Sequence, residues 1–139
     1  TPASEVLEGN FDGIMLSNGP GDPAEVTDII AEVKKLSESG MPIFAICLGH
    51  QLMALAHGFK TEKLKYGHHG ANHPVKDLDT NRVYISTQNH NYVIKDGTIE
   101  GVEYLNKNIK TVQFHPEANA GPRDTEYLFD EFIKMMEGK

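Results

Sequence analysis

The sequence predicts an α/β layered domain interrupted by a β-rich insertion. Three observations carry this. A short apolar run at 13–17 reads as a strand, and a second at 42–46, without alternation, suits a strand buried on both faces, as in a parallel sheet. Each run is followed by apolar residues at helical spacing. Between residues 60 and 114 the pattern changes to short β-prone segments set among Gly, His and Asn.

The elements follow in order. Gly13-Ile14-Met15-Leu16-Ser17 reads as a strand that breaks at Asn18-Gly19-Pro20-Gly21-Asp22-Pro23, a tight loop. Asp22 stands where an N-cap would, with Pro23 at the first helical position. Val26, Ile29, Ile30, Val33 and Leu36 then predict one amphipathic helix closing near Gly40. Residues 42–46 form a second strand that runs directly into Cys47-Leu48-Gly49-His50-Gln51. Leu48, Leu52, Leu55 and Ala56 predict the helix after it, up to Gly58. In the insertion, strands are expected over 60–65, 82–87, 102–105 and 109–114. A loop is expected at 66–74 and a turn at Asn106-Lys107-Asn108. Leu128, Phe129, Phe132, Ile133 and Met136 close the chain with a helical stripe, preceded by Pro122 and Asp124.

Composition narrows the function. The 139 residues suit one domain, and 20 acidic against 13 basic side chains give a net charge of −7. That balance argues against a nucleic-acid partner and against an anionic membrane surface. No apolar run reaches the length of a bilayer span, and the first residues carry neither a basic nor an apolar leader segment, so a cytoplasmic protein is expected. The single cysteine, Cys47, excludes an internal disulfide.

Cys47 sits where a buried strand turns into a helix. Such a turn lifts a side chain above the sheet edge and places it at a helix N-terminus, which favours a thiolate. Ala45-Ile46-Cys47-Leu48-Gly49 matches the nucleophile elbow in part, with Ala at the first small position. The local pattern leaves two readings open, a nucleophile or a buried small thiol. A nucleophile needs a base, and the base an orienting acceptor. Phe114-His115-Pro116-Glu117 offers both at another strand end. Backbone N–H groups at Gly19-Pro20-Gly21 and at Leu48 could serve an oxyanion. Gln88-Asn89-His90-Asn91-Tyr92 reads either as a turn or as donors and acceptors for a small polar substrate. His68, His69 and His73 cluster locally but match no zinc spacing, and no metal is expected.

Three strings in this order, Ser17-Asn18-Gly19-Pro20-Gly21-Asp22-Pro23, Ile46-Cys47-Leu48-Gly49-His50-Gln51 and His115-Pro116-Glu117-Ala118, resemble the class I (triad) glutamine amidotransferases. Gly67-His68-His69-Gly70-Ala71-Asn72-His73-Pro74-Val75 and Gln88-Asn89-His90 look like the carbamoyl phosphate synthase small-chain branch of that family rather than its anthranilate synthase branch. The resemblance runs from about Phe11 to the C-terminus and implies a flavodoxin-like three-layer sandwich.

The resemblance also implies roles. Cys47 would attack the carboxamide of L-glutamine, with His115 as base and acid and Glu117 orienting it. Gly19 and Leu48 would form the oxyanion hole. Gly21, Gln51, Asn89, Asn91 and Tyr92 fall on glutamine-binding positions. Ammonia would pass to a large synthetase subunit, which would bind ATP and magnesium; no cofactor is expected in this chain. Two residues depart from the family pattern: Asn91 and Ala71 stand where Gly is usual. The resemblance further implies that the family's first strands and a preceding N-terminal domain are missing from residues 1–139, so that the chain is one glutaminase domain, truncated at its start. A truncated, non-catalytic binding module is the reading of a different class.

Overall fold

A computed structural model describes residues 1–95, 99–104, 107–117 and 124–138. The chain order is α1 (Ala3–Glu8), β1 (Ile14–Leu16), a 3-10 turn (Pro23–Glu25), α2 (Thr27–Ser37), β2 (Ile43–Ile46), α3 (Leu48–Ala56), β3 (Thr61–Lys76), β4 (Val83–Ile94), β5 (Gly101–Tyr104), β6 (Ile109–Val112) and α4 (Tyr127–Glu137). The two apolar runs become β1 and β2 of a four-stranded sheet in the order β1-β2-β6-β5: β2 is central, whereas β1 is an edge strand and its Met15 is exposed. β1, β2 and β6 are parallel, and β5 closes one side antiparallel to β6.

β2 shows why its sequence does not alternate. All four residues are buried because helices cover both faces of the sheet. Ile43 packs with Val33, Leu36, Leu52 and Met53 from α2 and α3. Phe44 and Ile46 face the other way, onto Leu128 and Phe132 of α4. The Phe44 ring meets Phe129 edge-on at 5.6 Å and Phe132 at 5.8 Å. Each such side chain contributes about 1.5–3 kcal/mol of burial. The result is the three-layer sandwich expected from the sequence.

The parallel arrangement decides where a site forms. The residues after β1, β2 and β6 all leave the sheet at the same edge, where ligands bind in open α/β sheets. Those residues are the Asn-Gly-Pro-Gly loop, Cys47 and the segment leading to His115.

Several expectations need correction. The expected loop at 66–74 lies inside β3, and Gln88–Tyr92 lies inside β4; together they make one long antiparallel hairpin. His68 pairs with His90, His69 with Asn89 and Gly70 with Gln88, which sets polar residues opposite one another across the strands. The register shifts between Lys63 and His68 and between Gly70 and His73, and the positive φ of Gly67 (68°) and Gly70 (137°) absorbs these bulges. Those glycines gave the segment its loop-like composition.

The first long helix is split. Asp22 caps the 3-10 turn, accepting from the Ala24 N–H at 2.9 Å, and α2 starts only at Thr27. Ile29 and Ile133 belong to the expected apolar stripes yet are 49% and 47% exposed. The last sheet strand stops at Val112, two residues early. α1 carries no signal that was read from the sequence. Leu105, Asn106, Ala118 and Pro122 lie outside the described residues.

Candidate active site

Cys47 occupies a strained turn. Its φ is 52° and ψ −103°, a region that side chains other than glycine rarely adopt, at a cost of about 1–3 kcal/mol. Two anchors impose it. The Cys47 N–H continues the β2–β6 ladder by donating to the Val112 carbonyl at 2.8 Å. Its own carbonyl accepts the Gln51 N–H at 3.1 Å, which starts α3. Gly49 makes the turn sterically possible: a Cβ there would stand 2.4 Å from the Leu16 carbonyl oxygen. Cys47 thereby lies at the N-terminus of α3, whose first N–H groups have no acceptor within the helix.

His115 arrives from the neighbouring strand. Its N–H donates to the Thr87 carbonyl of β4 at 2.9 Å, which ties the sheet edge to the hairpin. Its Nδ1–H donates to Glu117 Oε1 at 2.8 Å. That bond leaves Nε2 as the ring atom free to act, and Nε2 is enclosed without a hydrogen-bond partner among the described residues. Cys47 first and Glu117 second lift the imidazole, against the pull of burial, to about 10. The approach to Cys47 is therefore close without being a formed hydrogen bond. Burial raises the Glu117 carboxyl, but the His115 hydrogen bond, a backbone bond and the ring's charge together carry it below the ordinary carboxylate value.

A cleft of about 510 Å³ opens over these groups. Cys47 and His115 form its floor, with Gly19 and Gly21 on the loop side. Asn89, Asn91 and Tyr92 form the hairpin wall, and Gln51 lines it as well. Eight of the ten residues singled out in the sequence thus meet in one cavity. Leu48 lies beside it, against Gly19, and Glu117 stands behind His115.

The comparisons with known proteins point the same way. A family profile described as glutamine amidotransferase class-I matches residues 1–135. The chain belongs to the class-I glutamine amidotransferase family. Among its relatives, the carbamoyl phosphate synthase small chain of Helicobacter pylori is 46% identical over 157 residues, covering 99% of this chain and 42% of the relative. That of Listeria monocytogenes is 48% identical over 156 residues, covering 100% and 43%. The chain therefore spans about two fifths of the length of the curated relatives it matches. Among solved structures, a putative GMP synthase component from Thermoplasma acidophilum superposes with a TM-score of 0.77 at 25% identity, over 98% of this chain and 77% of that one. A glutamine amidotransferase from Thermotoga maritima, at 16% identity and a TM-score of 0.64, shares the fold over 89% and 64%.

Some predicted residues are more constrained than their polarity suggests. Gln51 is buried, and its amide donates to the Tyr92 carbonyl at 2.7 Å and to Gln113 Oε1 at 3.0 Å. Asn91 shares His69 with Asn89. The two ring nitrogens lie 3.2 Å from Asn91 Oδ1 and 3.0 Å from Asn89 Oδ1. The Tyr92 hydroxyl is raised first by desolvation and then by the charges of Asp22 and Glu25.

Sequence reasoning missed Lys63 and Asp22 as cleft residues, and Gln113 beneath the cleft, while His90 lines the cleft as part of the polar run read for a substrate. For Gln113 a signal existed: one amide inside the apolar run Val112-Gln113-Phe114. Lys63 was hidden because β3 was expected to end near it. His68, His90 and Glu100 bring possible metal-ligand atoms within 4.8 Å of one another. Gln88 already engages two of them, His90 Nε2 at 2.6 Å and Glu100 Oε2 at 2.9 Å, so a hydrogen-bonded amide holds this set together. No helix among the described residues is long and apolar enough to cross a membrane.

Proposed function

We propose that this chain is the glutaminase portion of a carbamoyl phosphate synthase small chain, hydrolysing L-glutamine to glutamate and ammonia. The observation that carries this is the elbow thiol facing an enclosed His115 Nε2 whose other nitrogen is held by Glu117. The high affinity of His115 for its proton suits an imidazolium that sits beside a thiolate. In this reading the Cys47 sulfur attacks the carboxamide carbon. The N–H groups of Gly19 and Leu48 receive the developing oxyanion. His115 gives its proton to the departing ammonia, leaving a γ-glutamyl thioester on Cys47. His115 then removes a proton from water, which attacks the thioester, releases glutamate and restores the thiolate.

Lys63 and Asp22 bring opposite charges to the cleft, a match for the zwitterionic end of a free amino acid. Gly21, Gln51, Asn89, Asn91 and Tyr92 supply its neutral polar contacts. The partner that takes up the ammonia is a large synthetase subunit, a reading that the names of the relatives support. ATP and magnesium belong to that partner in this reading, the glutaminase step needs no cofactor, and the reaction is cytoplasmic.

The test is glutamate release by the intact protein, with and without the large subunit. Cys47→Ser is expected to lower it by at least about a thousandfold. Undiminished release from the Ser variant would sink the thiol mechanism. No release from the folded unsubstituted protein in either state would sink the enzymatic reading and favour a binding module.

A further inference from the structure

Gln113 is fully buried, directly below the sulfur and two residues before His115. A buried primary amide is costly unless its hydrogen bonds are made. Its orientation follows from the chain of partners. The Tyr92 carbonyl only accepts, so the Gln51 atom 2.7 Å from it is the NH₂ group. The same NH₂ lies 3.0 Å from Gln113, so that atom of Gln113 is its oxygen. The remaining face of Gln113, its own NH₂, then points at Cys47 Sγ at 3.7 Å. Besides the nearby His115 ring, the sulfur meets the Asn89 carbonyl at 3.9 Å, which can accept only a thiol proton.

We propose that Gln113 donates an amide hydrogen to the Cys47 sulfur and holds it as a thiolate aimed into the cleft. A thiolate accepts a hydrogen bond far better than a thiol does, so a fixed N–H donor favours the charged form. The same amide ties the sulfur through Gln51 to the Tyr92 backbone, so the nucleophile and the hairpin wall share one set of hydrogen bonds. As a step in glutamine hydrolysis this rests on the function proposed above; as a property of the thiol it does not. The titratable groups around the cleft are Asp22 from the loop after β1, Lys63 from β3, His90 and Tyr92 from β4, and His115 and Glu117 after β6. Substitution at Gln113 leaves all of them in place.

The experiment follows alkylation of Cys47 by iodoacetamide against pH in the intact protein, read by mass on the Cys47 peptide. Gln113→Met removes the N–H toward sulfur at similar length and adds no charge; Gln113→Leu also removes any acceptor toward Gln51. In each folded variant the midpoint for alkylation is expected to rise by about one pH unit. The rate at neutral pH should fall about three- to tenfold, with kcat for glutamine hydrolysis falling alongside. An unchanged midpoint in a folded variant would overturn the proposal. In the unsubstituted protein, the Gln113 side-chain amide resonances should shift with the same midpoint as alkylation, and resonances that stay fixed through it would overturn the proposal without any Gln113 variant. If alkylation shifts as expected while no protein releases glutamate, the sulfur contact stands and the glutaminase reading fails.

Discussion

The two halves of the cleft are built by different means. The floor stands on the parallel sheet, where every residue of β2 is buried and the packing is apolar. The wall stands on the β3–β4 hairpin, where β3 has no buried residue. The buried hairpin positions include Ser86, Gln88 and His90, joined by hydrogen bonds. Backbone hydrogen bonds to Val112 and Gln51, set on this apolar layer, hold Cys47 in its strained backbone. Hydrogen bonding on the wall leaves the polar groups that a polar substrate needs. In the proposed function the floor would carry reaction and the wall recognition, so changes to the two should separate in kcat and KM.

The largest separation is expected at Glu117. Glu117→Gln keeps the shape and removes the charge opposite the His115 Nδ1–H, so kcat should fall about a hundredfold with KM nearly unchanged. The pH profile gives the sign. With His115 raised to about 10, its proton is retained well into the alkaline range; without the carboxylate it is lost at lower pH, and the alkaline limb of activity should move down. Stability follows the same logic. The contribution of His115 is fully present below its unfolded value near 6.5 and is lost as pH rises through about 10. The contribution of Glu117 is present above its unfolded value near 4.5 and falls away in acid. Glutamate release against pH for both proteins checks this, and an alkaline limb that stays in place would dissociate Glu117 from His115.

The next effect is on stability. Gly49→Ala puts a methyl 2.4 Å from the Leu16 carbonyl, in a gap bounded by backbone on both sides. Neither β1 nor α3 can yield without disturbing the elbow, so a loss of about 1–3 kcal/mol is expected, with kcat reduced. Urea unfolding measures it. A variant with unchanged stability and activity would show that the floor is less rigid than its packing implies.

The same contrast explains what could be read from the sequence. The floor was legible because its signals are local: an unbroken apolar strand, an elbow string, and a His-Pro-Glu at the next strand end. The hairpin was not. Its strands alternate between polar residues, and its bulge glycines resemble turn glycines, so its length depends on pairing between residues some 20 positions apart, such as His69 with Asn89. Gln113 escaped notice because its partners, Cys47 and Gln51, are distant in sequence and its own neighbours are ordinary strand residues. Ile29 and Ile133 misled in the opposite direction: helical spacing predicts which side of a helix is apolar, and tertiary packing decides how much of that side is covered.

The smallest effect belongs to the wall. His69 is exposed, and its ring spans Asn89 and Asn91, two residues facing the cleft. His69→Ala removes two hydrogen bonds to groups that water can still satisfy, so the fold should lose less than about 1 kcal/mol. The two asparagines would then be free to rotate away from the cleft. KM for glutamine is expected to rise about three- to fivefold, within the range of one ordinary hydrogen bond, with kcat nearly unchanged. Adding Asn91→Gly to the same protein should recover little of the loss if Asn91 contacts the substrate, and most of it if Asn91 only obstructs the cleft once His69 is gone. A fall in kcat as large as that of Glu117→Gln would contradict the division between floor and wall, because it would mean that a surface histidine on the hairpin governs the chemistry of the sheet edge.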